Sequence, residues 1–469
     1  MLKADLIVTN ACIVTMDKNR RILDDAALAV VGDTIAAVGD SDQILREFES
    51  DRVIDATDKA LFPGFINTHS HLFQVLLKGL GRDKLLFDWL DSSVRRALYR
   101  ITPERAKAAA RVGCMESLRS GVTTVLDYQY CHGFRGVDDA VLEAMEETGI
   151  RALLGRGFSN VKPLPDEFRP AFVEEEDEFF SEIERLAKEY RQHPRLGIAI
   201  APGIIWDVSP KAFVRLRELS EQYGLILTMH LNESMDDDEY SRKTFGMDTV
   251  PYLEQLGFLG PNFVAVHCVN MQADDIEILK KHDVKISHNT VSNMILASGV
   301  APVPEFMGAG LTIGLGIDGA ASSDMQDMLE VVKATALIHK CVRQDASIVN
   351  AEEVLEMATL GGAACIGRAH DLGSIEVGKK ADFFLFNPKT PKAVPMADPI
   401  STLVYSSSEE NIDTSVVGGR VLLENGRYLL VDEAAALDEC QRAAAEIREE
   451  TGLGNTHWGR RVKVGPFRK

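Results

Sequence analysis

Between about residues 61 and 365, short apolar runs alternate with longer amphipathic segments, and this rhythm restricts the fold more than any other feature of the chain. The apolar runs fall at 61–66, 123–127, 152–154, 196–200, 225–230, 263–267, 284–287 and 311–318. Helical periodicity occupies 103–119, 137–147, 174–192, 210–223, 249–256, 273–282, 303–310 and 351–364. Eight strand–helix units over roughly 300 residues predict an α/β fold in which a parallel sheet closes into a (β/α)8 TIM barrel. The rival is an open doubly wound sheet, but no G-x-G-x-x-G follows the first run.

Both ends of the chain have a different texture. Short β-type runs at 5–9, 11–15, 27–31 and 34–38 are punctuated by Gly32-Asp33 and Gly39-Asp40, with one helical segment at 42–49. β texture returns at 381–386, 403–405, 414–417 and 420–423. The two ends are expected to complete one small composite β-sandwich domain beside the barrel. The expected division is 1–60 and 366–430 for that domain, 61–365 for the barrel, and 431–469 for a closing charged helix (432–450) and tail.

With 469 residues the chain exceeds the size at which one core usually stops growing, which fits this division. A formal net charge of -20 excludes a nucleic-acid surface, because phosphate contacts need clustered Lys and Arg. The short basic stretch 460–469 reads as a solvated terminus. Seven cysteines without a Cys-x-x-Cys pair fit reduced thiols, and the N-terminus has no apolar core of a signal peptide. No run approaches the ~18 apolar residues of a membrane span. These features predict a cytoplasmic protein acting on a small molecule, with neither nucleic acid nor membrane as partner.

Chemistry enters where polar residues end the apolar runs. The first run leads to His69-Ser-His71, the fifth ends at His230, the sixth at His267 and the eighth at Asp318, while His288 follows the seventh. Catalytic groups of a (β/α)8 barrel sit at the carboxyl ends of its strands. Any one of these histidines is as well explained by a structural role; eleven scattered at random would rarely fall on strand ends so consistently. Residues two apart on a strand share a face, so His69 and His71 point together. Three imidazoles (His69, His71, His230) and Asp318 suit one divalent ion, Zn2+ or alternatively Fe2+, with a position open for water. A metal in such a site lowers the pKa of its water toward ~7. Glu233, three residues past His230, is placed to shuttle a proton, and His267 to bind the water or polarise the substrate; a solvated loop acid is the plain alternative for Glu233. No G-x-S-x-G elbow and no H-x-E…P-C-x-x-C deaminase signature occurs.

Pro63-Gly-Phe-Ile-Asn-Thr-His69-Ser-His71, His230-Leu-Asn-Glu233, Val266-His267-Cys268, Gly316-Ile-Asp318-Gly319 and the later Gly373-Ser-Ile-Glu-Val-Gly-Lys-Lys-Ala-Asp382 together resemble the amidohydrolase superfamily. The match is to its one-metal aminohydrolase branch. That resemblance implies a metal on His69, His71, His230 and Asp318, with Glu233, His267 and Asp318 catalytic. It implies hydrolytic deamination at an sp2 ring carbon of an aminopurine, pterin, pyrimidine or aminotriazine, in which Glu233 protonates the ring nitrogen, Asp318 takes the water proton and His267 holds the hydroxide. It also suggests a homo-oligomer.

Expected substrate contacts are Gln74, Trp89, Trp206, His288, Asn293 and Ser322. Members acting on adenosine thioethers carry a Pro-His-Ala-type motif after the fourth strand; here it reads Ala201-Pro-Gly203-Ile-Ile-Trp206, which points to a flat base or triazine without a sugar. Gly319 after the metal aspartate is closer to the purine and nucleoside members than to the triazine enzymes. S-adenosylhomocysteine/methylthioadenosine deamination and triazine dechlorination or N-dealkylation remain the alternatives, with amide or carbamate hydrolysis and a non-catalytic metal-binding homologue further off.

Overall fold

The computed structural model describes residues 1–161 and 174–454; the basic stretch 460–469 lies outside them. Strands Phe65–His71, Val122–Gln129, Arg151–Phe158, Leu196–Pro202, Ile226–Leu231, Phe263–His267 and Lys285–His288 pair in chain order, each parallel to the next. Their side chains are buried almost without interruption, as expected where helices cover a parallel sheet.

The eighth strand breaks in the middle, and the break closes the ring. Ile313–Leu315 pairs with the seventh strand, whereas Asp318–Gly319 pairs with the first. Between them Gly316 N donates to His288 O (3.0 Å) and Ile317 N donates to His69 O (3.1 Å). Gly316 permits this crossing, since a Cβ there would sit 1.9 Å from Asn289 Oδ1. The result is a TIM-barrel-like α/β fold, with the carboxyl ends of all eight strands on one face.

Helix limits agree with the sequence where a local cap sets them. Thr102 accepts from Arg105 N ahead of Pro103–Arg119, and Ser209 accepts from Ala212 N ahead of Pro210–Tyr223, which ends on Gly224 at φ +66°. The long helix Met328–Arg343 has no counterpart among the expected elements. Residues 403–405, expected as a strand, lie within the helix Pro399–Ser406, capped by Asp398. Their apolar run is helical because Asp398-Pro399 supplies a start signal stronger than the β propensity of three residues.

The apolar run 61–66 also divides. Ala60–Pro63 pairs antiparallel with Phe383–Phe386 in a second sheet, while Phe65 begins the barrel. This second sheet draws on both ends of the chain, in the order Arg427–Tyr428, Arg420–Glu424, Ile412–Val417, Phe383–Phe386, Ala60–Pro63, Leu6–Val14, Ile22–Val31, Thr34–Asp40. Phe384 packs between Phe62 and Phe65, with ring centroids at 5.5 and 4.9 Å, joining the sheet to the barrel. Buried Arg151 and Asp382 form a two-pronged ion pair across the same junction (2.7 and 3.0 Å). The closing helix Glu433–Thr451 buries Ala436, Cys440, Ala443, Ala444 and Ile447, and ties its acidic side to Arg105 and Arg111 of Pro103–Arg119. Among the described residues no helix is long and apolar enough to cross a membrane.

Candidate active site

The pleat of Phe65–His71 turns His69 and His71 to one side at its carboxyl end, and the neighbouring strand ends bring in the rest. His69 Nε2 and His71 Nε2 each lie 3.2 Å from Asp318 Oδ1, and His230 Nε2 lies 3.3 Å from His71 Nε2. One ligand atom each from His69, His230, His267 and Asp318 falls within 4.8 Å of the others. His267, which the sequence reading kept for water or substrate, therefore stands as close to the centre as the expected ligands. His267 and Asp318 both hold positive φ, +70° and +69°. For residues with a Cβ that conformation is strained, and it is concentrated here at the site.

Burial pushes the His69 imidazole down to about 3, and it holds His230 well below its ordinary value, with the adjoining imidazoles adding to the effect. Burial opposes ionisation of Asp318, but its contacts with His69 and His71 outweigh this and hold the carboxyl well below its usual range. The centre thus sets the Asp318 carboxylate against the His69 and His230 imidazoles, which burial keeps neutral. Among the described residues neither nitrogen of His69 has a hydrogen-bond partner of good geometry although the residue is completely buried, an arrangement that costs stability unless something fills it. His71 is oriented from behind by Tyr128 O, 2.7 Å from Nδ1, which turns Nε2 toward the centre. Orphaned, neutral nitrogen donors around one carboxylate fit a divalent cation of borderline softness.

Glu233 Oε2 stands 3.5 Å from His267 Nε2, and Glu233 is only 5% exposed. Burial raises its pKa, partly offset by His267 and by the Ser298 hydroxyl 3.2 Å away. A buried carboxyl with a raised pKa suits an acid-base role. Glu233, His267, His71, His230 and Asp318 all face one cavity at the carboxyl ends of the strands.

Gln74, Trp89 and Trp206 line that cavity as expected. The Gln74 amide is held at both ends, donating to the Tyr130 hydroxyl (2.8 Å) and accepting from Ala321 N (3.3 Å). Trp89 donates to Ala321 O (2.9 Å), and Trp206 packs on Phe87 and Tyr240. His288, Asn293 and Ser322, expected as substrate contacts, are placed behind the wall. Asn293 Oδ1 meets His267 Nδ1 at 2.8 Å, Ser322 donates to Asp318 Oδ2 at 2.9 Å, and His288 pairs with His339 at 3.3 Å. His288 ends the seventh strand, Asn293 lies five residues beyond it, and Ser322 lies three residues beyond the eighth strand's end. Tyr128 and Tyr130, both on the cavity wall, were missed. Their two-residue spacing at the end of the second strand is the same signal that marked His69 and His71.

Residues 60–422 match the Amidohydrolase family. Over 448 residues the chain is 32% identical to a 5-methylthioadenosine/S-adenosylhomocysteine deaminase of Nitratidesulfovibrio vulgaris, covering 96% of this chain and 99% of that protein. The crystal structure of an adenosine deaminase from Xanthomonas campestris with bound zinc superposes with a TM-score of 0.90 at 27% identity, over 96% of this chain and 99% of the other. That of an atrazine chlorohydrolase from Arthrobacter aurescens TC1, complexed with zinc, gives 0.86 at 27% identity, over 94% and 100%.

Proposed function

The chain belongs to the amidohydrolase family, and on that premise we propose that it hydrolytically removes the amino group of an N-heterocycle, foremost an adenine-type base carried on a nucleoside. It is a hydrolase of carbon–nitrogen bonds other than peptide bonds. The observation that carries the reading is the convergence of ligand atoms from His69, His230, His267 and Asp318, with the buried Glu233 carboxyl beside them at one cavity.

We assign the metal to His69, His71, His230 and Asp318, with His267 at its edge; zinc is preferred because both similar solved structures carry it, and iron is the alternative. When bound there, the ion supplies a water acidified toward pKa ~7. Asp318 accepts the first proton of the attacking water. His267 Nε2 holds that water against the ring carbon. Glu233 delivers a proton to the ring nitrogen; the proton held by Asp318 then passes to the amino group, the carbon–nitrogen bond breaks to release ammonia, and Glu233 recovers a proton from the intermediate's hydroxyl as the carbonyl forms. Trp89 and Trp206 supply flat apolar walls, and Gln74 presents a fixed amide toward the heterocycle.

The named relative shifts the substrate away from the sugar-free base that Gly203 and Trp206 suggested, since it is a deaminase of adenosine thioethers. Likeness to an atrazine chlorohydrolase favours dechlorination as the second reading, but Glu233 weighs toward amine loss, where protonation matters more. We further propose a cytoplasmic homo-oligomer with a composite β-sandwich domain formed by the expected segments 1–60 and 366–430, its first segment extended to Pro63 by the pairing of Ala60–Pro63, the barrel following to 365, and the closing segment at 431–469.

The test measures ammonia release from adenosine, 5′-deoxyadenosine, methylthioadenosine, free adenine, a pterin, cytosine and an aminotriazine with zinc-replete protein. Glu233→Gln, with metal content measured in parallel, should keep its metal and lose kcat by about 10²- to 10⁴-fold. Absence of turnover across the panel, or a Glu233→Gln protein as active as the wild type, refutes the reading.

A further inference from the structure

Every group that handles a proton in the proposed reaction is hydrogen-bonded to one short turn. Ser292 donates to Asp318 Oδ2 at 2.5 Å, Asn293 meets His267 Nδ1 at 2.8 Å, and Ser298 donates to Glu233 Oε1 at 3.2 Å. Asp318, His267 and Glu233 come from three different strand ends, yet their partners lie within seven consecutive residues. The turn begins as the short helix Thr290–Ile295 and folds back sharply, with Leu296 N donating to Ser292 O and Ser298 N donating to Asn293 O.

The fold-back depends on Ala297 at φ +53°. A residue with a Cβ there is strained, and strain of this kind persists only where the surroundings hold it. It brings the Ser298 hydroxyl back to Glu233. Leu296, on the same turn, is 3% exposed and forms part of the cavity wall. Substrate packed against Leu296 therefore presses on the element that orients all three groups.

We propose that the 292–298 turn is a single positioning element, in which Ser292, Asn293 and Ser298 align Asp318, His267 and Glu233 while Leu296 couples that alignment to the fit of the substrate. This rests on the roles assigned above to Asp318, His267 and Glu233. Ser292, Asn293 and Ser298 are positioning residues, since each acts through another side chain. Partners standing behind catalytic ligands typically cost ~10- to 100-fold when removed.

The experiment is a set of steady-state double-mutant cycles on zinc-replete protein with the best nucleoside substrate of the wild type. Ser298→Ala should lower kcat about tenfold with little change in KM, and Ser298→Thr, which keeps the hydroxyl, should recover it. In the Glu233→Gln background Ser298→Ala should cost nothing further, because its effect passes through that carboxyl. Leu296→Ala should lower kcat as well as raise KM, and its kcat loss should shrink when Ser298 is already Ala. Additive losses in the Ser298/Glu233 cycle, a Ser298→Thr protein as impaired as Ser298→Ala, or a Leu296→Ala effect confined to KM would each overturn the proposal. A wild type inactive on every heterocycle fails the functional reading instead, before any cycle is run; thermal melts and metal content of each variant separate misfolding from misalignment.

Discussion

Asp382→Ala tests how the terminal sheet is held to the barrel. Asp382 receives Arg151 Nε at 2.7 Å and Nη2 at 3.0 Å, and also accepts from Gly418 N at 2.7 Å. Arg151 opens the third barrel strand and is 2% exposed; Asp382 is 7% exposed and immediately precedes Phe383–Phe386 of the terminal sheet. Among the described residues Pro194 O, at 2.8 Å, is the one other hydrogen-bond acceptor of the guanidinium once the carboxylate is gone, with Asp371 and Asp33 acting only through space. Breaking a buried pair by removing one partner costs roughly 3–5 kcal/mol, because the remaining charge loses its directly bonded partner. Over 469 residues at ~2.1 cal/mol/K each, the unfolding entropy is about 1 kcal/mol/K if sheet and barrel melt together. Differential scanning calorimetry on metal-replete protein should then give a single transition lowered by about 3–5 °C. Replacing both partners, as Arg151→Met/Asp382→Leu, should recover most of the loss, since no buried charge is stranded. A shift under about 1 °C for Asp382→Ala, or a double variant as unstable as the single one, refutes the reasoning. Two separate transitions in the wild type would show that the sheet and barrel unfold independently.

Two further outcomes follow from the packing. Gly319→Ala places a Cβ 1.9 Å from Gln74 Oε1 and 2.3 Å from its Cδ, and Gln74 is fully buried with both amide ends engaged. The variant should lose roughly 1–3 kcal/mol by urea unfolding together with much of its kcat/KM, and Gln74→Ala in the same chain should restore the stability; a stable Gly319→Ala would show that Gln74 has room to move. Asp327, which caps Met328–Arg343 through Leu329 N (2.8 Å), has its carboxyl pushed up to about 7 by burial, with Glu409, Glu330 and Glu116 adding to the effect. Its folded pKa lies above the ordinary 3.8, so the folded state binds the extra proton and its stability falls as pH rises from about 4 to 7. Asp327→Asn keeps the cap and removes that term, so its advantage over wild type in urea melts should be absent near pH 4 and largest above pH 7; an advantage constant with pH would refute the assignment.

Much of the architecture was legible because it is local. Thr102-Pro103, Ser209-Pro210 and Gly224 fix helix ends through hydrogen bonds to residues within one turn, and unbroken apolar runs mark strands buried on both faces. His69 and His71 were readable from the two-residue pleat, and Glu233 from its distance past His230. The sequence misled where a neighbour distant in the chain decided the conformation. The run 61–66 bears Pro63-Gly64 at its point of division, but what separates the halves is the pairing of Ala60–Pro63 with Phe383–Phe386 more than three hundred residues later. The eighth strand could not be seen to break, because the break is imposed by Asn289 beside Gly316 and by the need of Asp318 to reach the first strand.

The same division runs through the site. Composition, periodicity and motif spacing by themselves determined a barrel, a candidate metal-ligating residue set and a carboxyl beside it, since each depends only on which residue types recur at which interval. Only the tertiary structure decided which of those side chains meet the cavity and which stand behind it. Asn293 and Ser322 are separated from His267 and Asp318 by 26 and 4 residues, and both turn their polar atoms onto those two groups. Direction after a strand end is set by loop dihedrals and by the packing of the next helix, and neither has a fixed period in the sequence.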